Sequence, residues 1–159
     1  MSIGDRIRFF RTKYGMTQKT LGRILGFPAR NADVRLTQYE TGARTPNHEL
    51  VKKIATVFNI NPAALNIPEF NVTSIMQTFF ELEDKYGLYV KIENDKEIVL
   101  EQETEYPTVL CESIKEWFEK RNEVENGNIT RHEYDKWRYN FYVDDEESKS
   151  KQGQNKGGT

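Results

Sequence analysis

Between Ile3 and Asn66 every apolar stripe is cut off within a few turns by a glycine or a proline. Ile3, Ile7 and Phe10 recur at helical spacing, with Asp5, Arg6 and Arg8 off that face, and Gly15 ends the run as a C-cap. Thr17 is placed to cap a second helix with the stripe Leu21, Ile24 and Leu25, and Gly26 stops it. After a connector broken by Pro28, the spacing predicts a third helix from Ala32 or Asp33 to Thr41. It buries Leu36 and Tyr39, and Gly42 ends it. Thr45 and Pro46 read as the N-cap and first position of a fourth helix carrying Leu50, Ile54, Val57 and Phe58. Asn61-Pro62 opens a short fifth helix containing Leu65. Helices this short are marginal in isolation. The segment can therefore persist only as a small bundle in which each helix covers its neighbours' stripes.

Beyond Pro68 the pattern changes. Ile75, Phe79 and Leu82, flanked by Met76 and Phe80, predict a helix from Val72 to Tyr86 closed by Gly87. Leu88, Val90 and Ile92 then alternate with Tyr89, Lys91 and Glu93. Asn94-Asp95 is turn chemistry and Ile98-Val99-Leu100 follows, which reads as a β-hairpin. Pro107 starts a long helix with Val109, Leu110, Ile114, Trp117 and Phe118 on its apolar side, ending near Gly127. Thr130-Arg131-His132-Glu133 is a capping-box sequence that opens a last helix with Tyr134, Trp137 and Phe141. Residues 144–159 carry no core-forming side chain and are expected to be disordered. The expected organisation is mostly α: a five-helix domain over 1–68, an α+β module of helix, hairpin and two helices over 69–143, and a tail.

Taken whole, the formal charge of −2 over 159 residues argues against a polyanionic partner. Divided at Pro68 it does not. Residues 1–68 hold 11 Lys and Arg against 4 Asp and Glu, a net of +7. Residues 69–159 hold 12 against 21, a net of −9. A basic module suited to an anion is joined to an acidic one. No apolar run approaches the roughly 18 residues that span a bilayer. The N-terminal Met-Ser-Ile-Gly-Asp-Arg lacks the apolar stretch of a signal peptide. One Cys and two His supply neither an internal disulfide nor the usual zinc ligand set. The expectation is a cytoplasmic protein without cofactor, metal or membrane contact.

The ordered set Thr17-Gln18, Leu21-Gly22, Leu25-Gly26, Leu36, Tyr39-Glu40-Thr41-Gly42, Arg44 and Pro46 resembles the helix-turn-helix domain of the Cro and phage-repressor type, the xenobiotic-response-element family. The resemblance runs from residue 3 to about 66, taking in Ile7, Phe10 and Arg11 before it and Leu50, Ile54 and Ala55 after it. It implies a lambda-repressor-like fold, a double-stranded DNA operator as partner, and transcriptional regulation as a dimeric repressor. A reading helix places its outer side chains against base edges and its inner ones on a small core. With Leu36 and Tyr39 inward, Asp33, Val34, Arg35, Thr37 and Gln38 remain for DNA. Gln38 can pair bidentately with adenine, and Arg35 with guanine or a phosphate. The resemblance adds Gln18 at the start of the second helix, both as a DNA contact and as a support for the third. Lys19, Arg23 and Arg44 are candidate phosphate contacts, which position without reading sequence. It also implies a structural pair between Arg11 and Glu40.

Two positions depart from the family pattern. Nine residues, Phe27 to Arg35, separate Gly26 from Leu36, more than the usual tight turn allows. They lengthen the connector or the front of the third helix, and they bring Arg30 and Asn31 among the candidate DNA contacts. Gly22 stands where Ala is common.

Catalytic readings find no support. His48 and His132 fall in different modules, each near a helix start, and Cys111 lies among Val109, Leu110 and Ile114 as an inert thiol would. Glu81 to Asp84 reads as a solvated helix face, and no phosphate-cradling glycine loop is present. The protein is expected not to be an enzyme. The second module carries both Trp and six Tyr. Dimerisation, a protein partner or a small effector remain open for it, and so do an antitoxin-like autoregulator and a partner-binding adaptor.

Overall fold

The computed structural model describes residues 1–93, 97–102 and 109–143. The Asn94-Asp95 turn, the Pro107 helix start and the 144–159 tail lie outside the described residues. The described chain divides into two compact units, Met1–Glu69 with Asp135–Tyr142, and Phe70–Tyr134 with Val143.

The first unit is built from α1 (Ile3–Lys13), α2 (Gln18–Ile24), α3 (Ala32–Glu40), α4 (His48–Phe58) and a 3-10 turn (Pro62–Ala64). Each start has a chemical cause. Ser2 accepts from the Asp5 amide while the Asp5 carboxylate accepts from the Ser2 amide, a complete capping box. Donation to that carboxylate from the Ser2 amide foremost, and from the Ser2 hydroxyl second, holds the Asp5 carboxyl below its ordinary range. Thr17 caps α2 through the Thr20 amide. The cap of α4 is Asn47, whose Oδ1 accepts from the Leu50 amide, and not Thr45 as the sequence suggested. Pro46 is buried in the approach to the helix rather than standing at its first position. The expected fifth helix is a single 3-10 turn opened by Asn61.

The four helices enclose a continuous core of Ile7, Phe10, Leu21, Leu36, Ile54, Phe58 and Leu65, with Leu25, Val51, Ala55 and Ile60 around them. A fully buried Leu, Ile or Phe of this kind contributes about 1.5–3 kcal/mol. Ile24, read from spacing as part of the α2 stripe, is instead 53% exposed.

In the second unit, α5 runs Val72–Tyr86, with Asn71 and Ser74 forming its capping box and Gly87 its left-handed C-cap. It leads into β1 (Leu88–Glu93), which pairs antiparallel with β2 (Glu97–Gln102) in the register Leu88 to Gln102, Val90 to Leu100 and Ile92 to Ile98. α6 follows over Val109–Glu125. The Thr130–Glu133 box opens α7 (Arg131–Asn140), and Thr130 holds the Glu133 carboxyl below its usual range. Trp117 and Phe118, expected on the covered side of α6, are exposed.

α7 is divided between the units, which differs from a single boundary after Pro68. Within the first unit, Tyr139 meets Phe10 edge-on at 4.9 Å, and its carbonyl accepts from the Asn61 amide at 3.0 Å. Lys13 Nζ reaches Asp135 at 2.7 Å and lies 4.9 Å from the Tyr139 ring. An aromatic and an acid seventy residues beyond the bundle thus help to close its core and satisfy one of its backbone donors.

Candidate nucleic-acid interface

α2 and α3 meet at a contact only glycine permits. A Cβ on Gly22 would overlap the Ala32 carbonyl oxygen, so the first turn of α3 lies directly on α2. The extra residues of the connector do not extend α3. They form a turn, closed by the Asn31 amide donating to the Pro28 carbonyl at 3.0 Å, while the Phe27 amide donates to Gly22 at 2.9 Å. The two departures from the family pattern are therefore one arrangement: the long connector delivers Ala32 onto α2, and Gly22 leaves room for it.

The other end of α3 is held by charge. Glu40 is 6% exposed. Its carboxylate accepts from Arg11 Nε at 2.5 Å, Arg11 Nη2 at 3.1 Å and Gln18 Nε2 at 2.8 Å. Arg11 Nη1 also donates to the Met16 carbonyl at 2.8 Å. A buried carboxylate is tolerable only when so paired. One acid at the end of α3 is thereby tied to both α1 and α2. Gln18, proposed from the sequence for DNA, is oriented inward by its amide nitrogen.

Between these anchors Ala32 and Leu36 are buried and the other face of α3 is accessible. Asp33 is exposed and Val34 is 55% exposed, a suitable partner for a thymine methyl. Arg35, Thr37 and Gln38 are half-buried. The Thr37 hydroxyl donates to the Asp33 carbonyl at 2.9 Å, which leaves it acceptor capacity only. The Arg35 guanidinium lies 4.5 Å over the Phe27 ring, and Phe27 stacks on Tyr39 at 6.0 Å. Phe27 was not read as functional from the sequence. Its signal was an aromatic placed directly after the helix-stopping Gly26.

Lys19 and Arg23 on α2, Arg30 in the connector and Arg44 after α3 are all exposed. The Arg44 amide donates to the Gln38 carbonyl at 2.9 Å, which fixes the exit from α3. Asn31 stands at the N-cap of α3, yet its side chain caps nothing, and its Oδ1 is buried without a partner. Among the described residues no group of three His, Cys, Asp or Glu could hold a metal ion, and no helix is long and apolar enough to cross a membrane.

Two short helices joined by a turn, the second set across the first with an accessible outer face, constitute a helix-turn-helix. The family comparison agrees: residues 7–65, less than half of the chain, match a family model described as Helix-turn-helix. Such a domain supports a DNA-binding regulator. Among solved structures, one described as the transcriptional regulator BswR aligns at 25% identity and a TM-score of 0.41, over 53% of this chain and 94% of that one. No curated protein matches.

Proposed function

We propose that this chain is a sequence-specific regulator of transcription, a repressor that binds its operator as a homodimer with α3 in the major groove. The observation that carries the reading is the two-ended anchoring of α3, by Gly22 on Ala32 and by Glu40 on Arg11 and Gln18. A helix so held presents its outer side chains without further ordering, and pre-organisation is what makes a few base contacts effective. Gln38 and Arg35 read base edges. Lys19, Arg23, Arg30 and Arg44 meet phosphates, while Asp33, Val34, Thr37, Asn31 and Gln18 complete the surface. The net +7 of residues 1–68 supplies the sequence-independent attraction. Major-groove occupancy alone blocks a promoter, so repression requires no second activity. One reading helix contacts few base pairs, and two copies spanning half-sites about 34 Å apart multiply the discrimination.

The test is selection of bound sites from random duplexes, followed by fluorescence anisotropy on the selected site. A palindrome is expected. Gln38→Ala and Arg35→Ala should each cost about 1–3 kcal/mol and relax preference at one position. Unchanged affinity and preference in both variants would remove α3 as the reading helix.

A further inference from the structure

α3 carries a cation that is held in place without being ion-paired. Among the described residues nothing accepts a hydrogen bond from the Arg35 side chain, and its guanidinium lies 4.5 Å from the centroid of the Phe27 ring. Two other arginines of the first unit contrast with it. Arg11 donates through Nε, Nη1 and Nη2 to Glu40 and to the Met16 carbonyl, and Arg6 Nη1 donates to the Ala64 carbonyl. Their donors are committed to the fold. Arg23, Arg30 and Arg44 are exposed and lie over no ring among the described residues. An aromatic ring attracts a guanidinium through its face, so the N–H donors at the edge of the fork stay available to a ligand.

The ring is itself fixed. The Phe27 amide donates to the Gly22 carbonyl at 2.9 Å, and Pro28 keeps the residue before it out of the helical region. The Phe27 side chain is half-buried against the core of the first unit and stacks on Tyr39 at 6.0 Å. Tyr39 stands at i+4 from Arg35, so one ring from the connector touches two successive turns of α3.

We propose that Phe27 is a positioning residue, which holds the Arg35 fork for bidentate recognition of a guanine in the operator. The chemistry separates a base from a phosphate. A phosphate accepts from an arginine in many orientations, and a mobile cation is enough for it. Guanine O6 and N7 need two N–H donors in one plane, and without a platform the long side chain would have to be ordered at the moment of binding. The inference rests on the α3 reading above. It adds the base that Arg35 reads and the residue that orients it.

The experiment takes the full chain, its selected operator site, and sites in which each base pair is replaced in turn, followed by fluorescence anisotropy. Arg35→Ala should lower preference about 10-fold at one G·C pair. Phe27→Leu keeps apolar bulk and removes the ring face. It should lower preference about 5-fold at that same pair and leave the other positions within about 2-fold. Phe27→Tyr should restore the preference, and Phe27→Leu added to Arg35→Ala should cause no further loss. Without DNA, the ring-current shift on the Arg35 δ protons should vanish from the NMR spectrum of Phe27→Leu. Thermal unfolding verifies that each variant is folded, and Phe27→Met replaces a leucine variant that is not, under the same criterion. Preference retained in Phe27→Leu, a loss spread over all positions, or a further loss in the double variant overturns the positioning role while α3 stays the reading helix. Uniform weakening by Arg35→Ala makes Arg35 a phosphate contact and also overturns the proposal. If neither Arg35→Ala nor Gln38→Ala changes affinity or preference, the reading helix falls and the proposal with it.

Discussion

The two units are made from the same kinds of side chain and treat them in opposite ways. In the first, Phe10, Phe58, Ile7, Leu21, Leu36, Ile54 and Leu65 are essentially sealed from water. In the second, only Leu88 and Tyr134 among the described residues are buried, although α5 alone carries Val72, Ile75, Met76, Phe79, Phe80 and Leu82. The difference lies in how many elements surround each stripe. Four short helices enclose a volume, while the two-stranded hairpin and the helices of the second unit leave most of their apolar faces to water. Charge follows the same division. The Arg11–Glu40 pair is buried and bidentate, whereas Lys91–Glu101 is exposed. Apolar content therefore does not by itself make a core, and the surplus in the second unit is surface available to another molecule.

The sharpest way to break this contrast is the ion pair. Arg11→Ala strands a buried carboxylate and should destabilise the first unit by about 3–5 kcal/mol in denaturant titration. A cost under about 1 kcal/mol would mean the pair behaves like a surface bridge. Gly22→Ala forces backbone apart at Ala32 and should cost about 1–3 kcal/mol while weakening operator binding, measured by thermal unfolding and anisotropy. Tyr139→Ala removes the ring that meets Phe10 and should lower the stability of the helix-turn-helix unit by about 2 kcal/mol. An unaffected unit would show that Asp135–Tyr142 is dispensable to it.

The smallest effect belongs to the exposed pair of the second unit, where Lys91→Ala should leave the denaturant midpoint essentially unchanged. Glu101 is held below its ordinary range by the bond from Lys91 first and from the Tyr89 hydroxyl second. Its contribution is thus complete above about pH 4.5 and is lost as pH falls through the lowered folded value. A carboxyl titration followed by NMR should give a midpoint under the ordinary value, and Lys91→Ala should return it upward.

Much of this was legible in the residues. α5 was bounded correctly at Val72 and Tyr86, because Gly87 must take the left-handed conformation a C-cap requires. The alternation from Leu88 to Ile92 predicted a strand, and Thr130 to Glu133 announced its own capping box. Other features were not readable in principle. Thr45-Pro46 and Asn47 are adjacent cap candidates, and only the bond to the Leu50 amide decides between them. Spacing counted Ile24, Trp117 and Phe118 as covered, but periodicity shows which residues share a face and not whether anything lies on it. The inward orientation of Gln18 and the stack of Arg35 on Phe27 depend on partners brought together only by folding.

By itself the sequence determined the short-helix bundle, the hairpin and the division of charge at Pro68, because periodicity, glycine and proline stops and local caps act within a few residues of one another. Tertiary structure decided the rest. It placed Ala32 on Gly22, turned Gln18 and Arg11 onto Glu40, recruited Tyr139 to a core that begins more than a hundred residues earlier, and left the hairpin face uncovered. Each of these depends on which surfaces meet. Sequence spacing carries no record of that, because burial belongs to a pair of surfaces and not to either one alone.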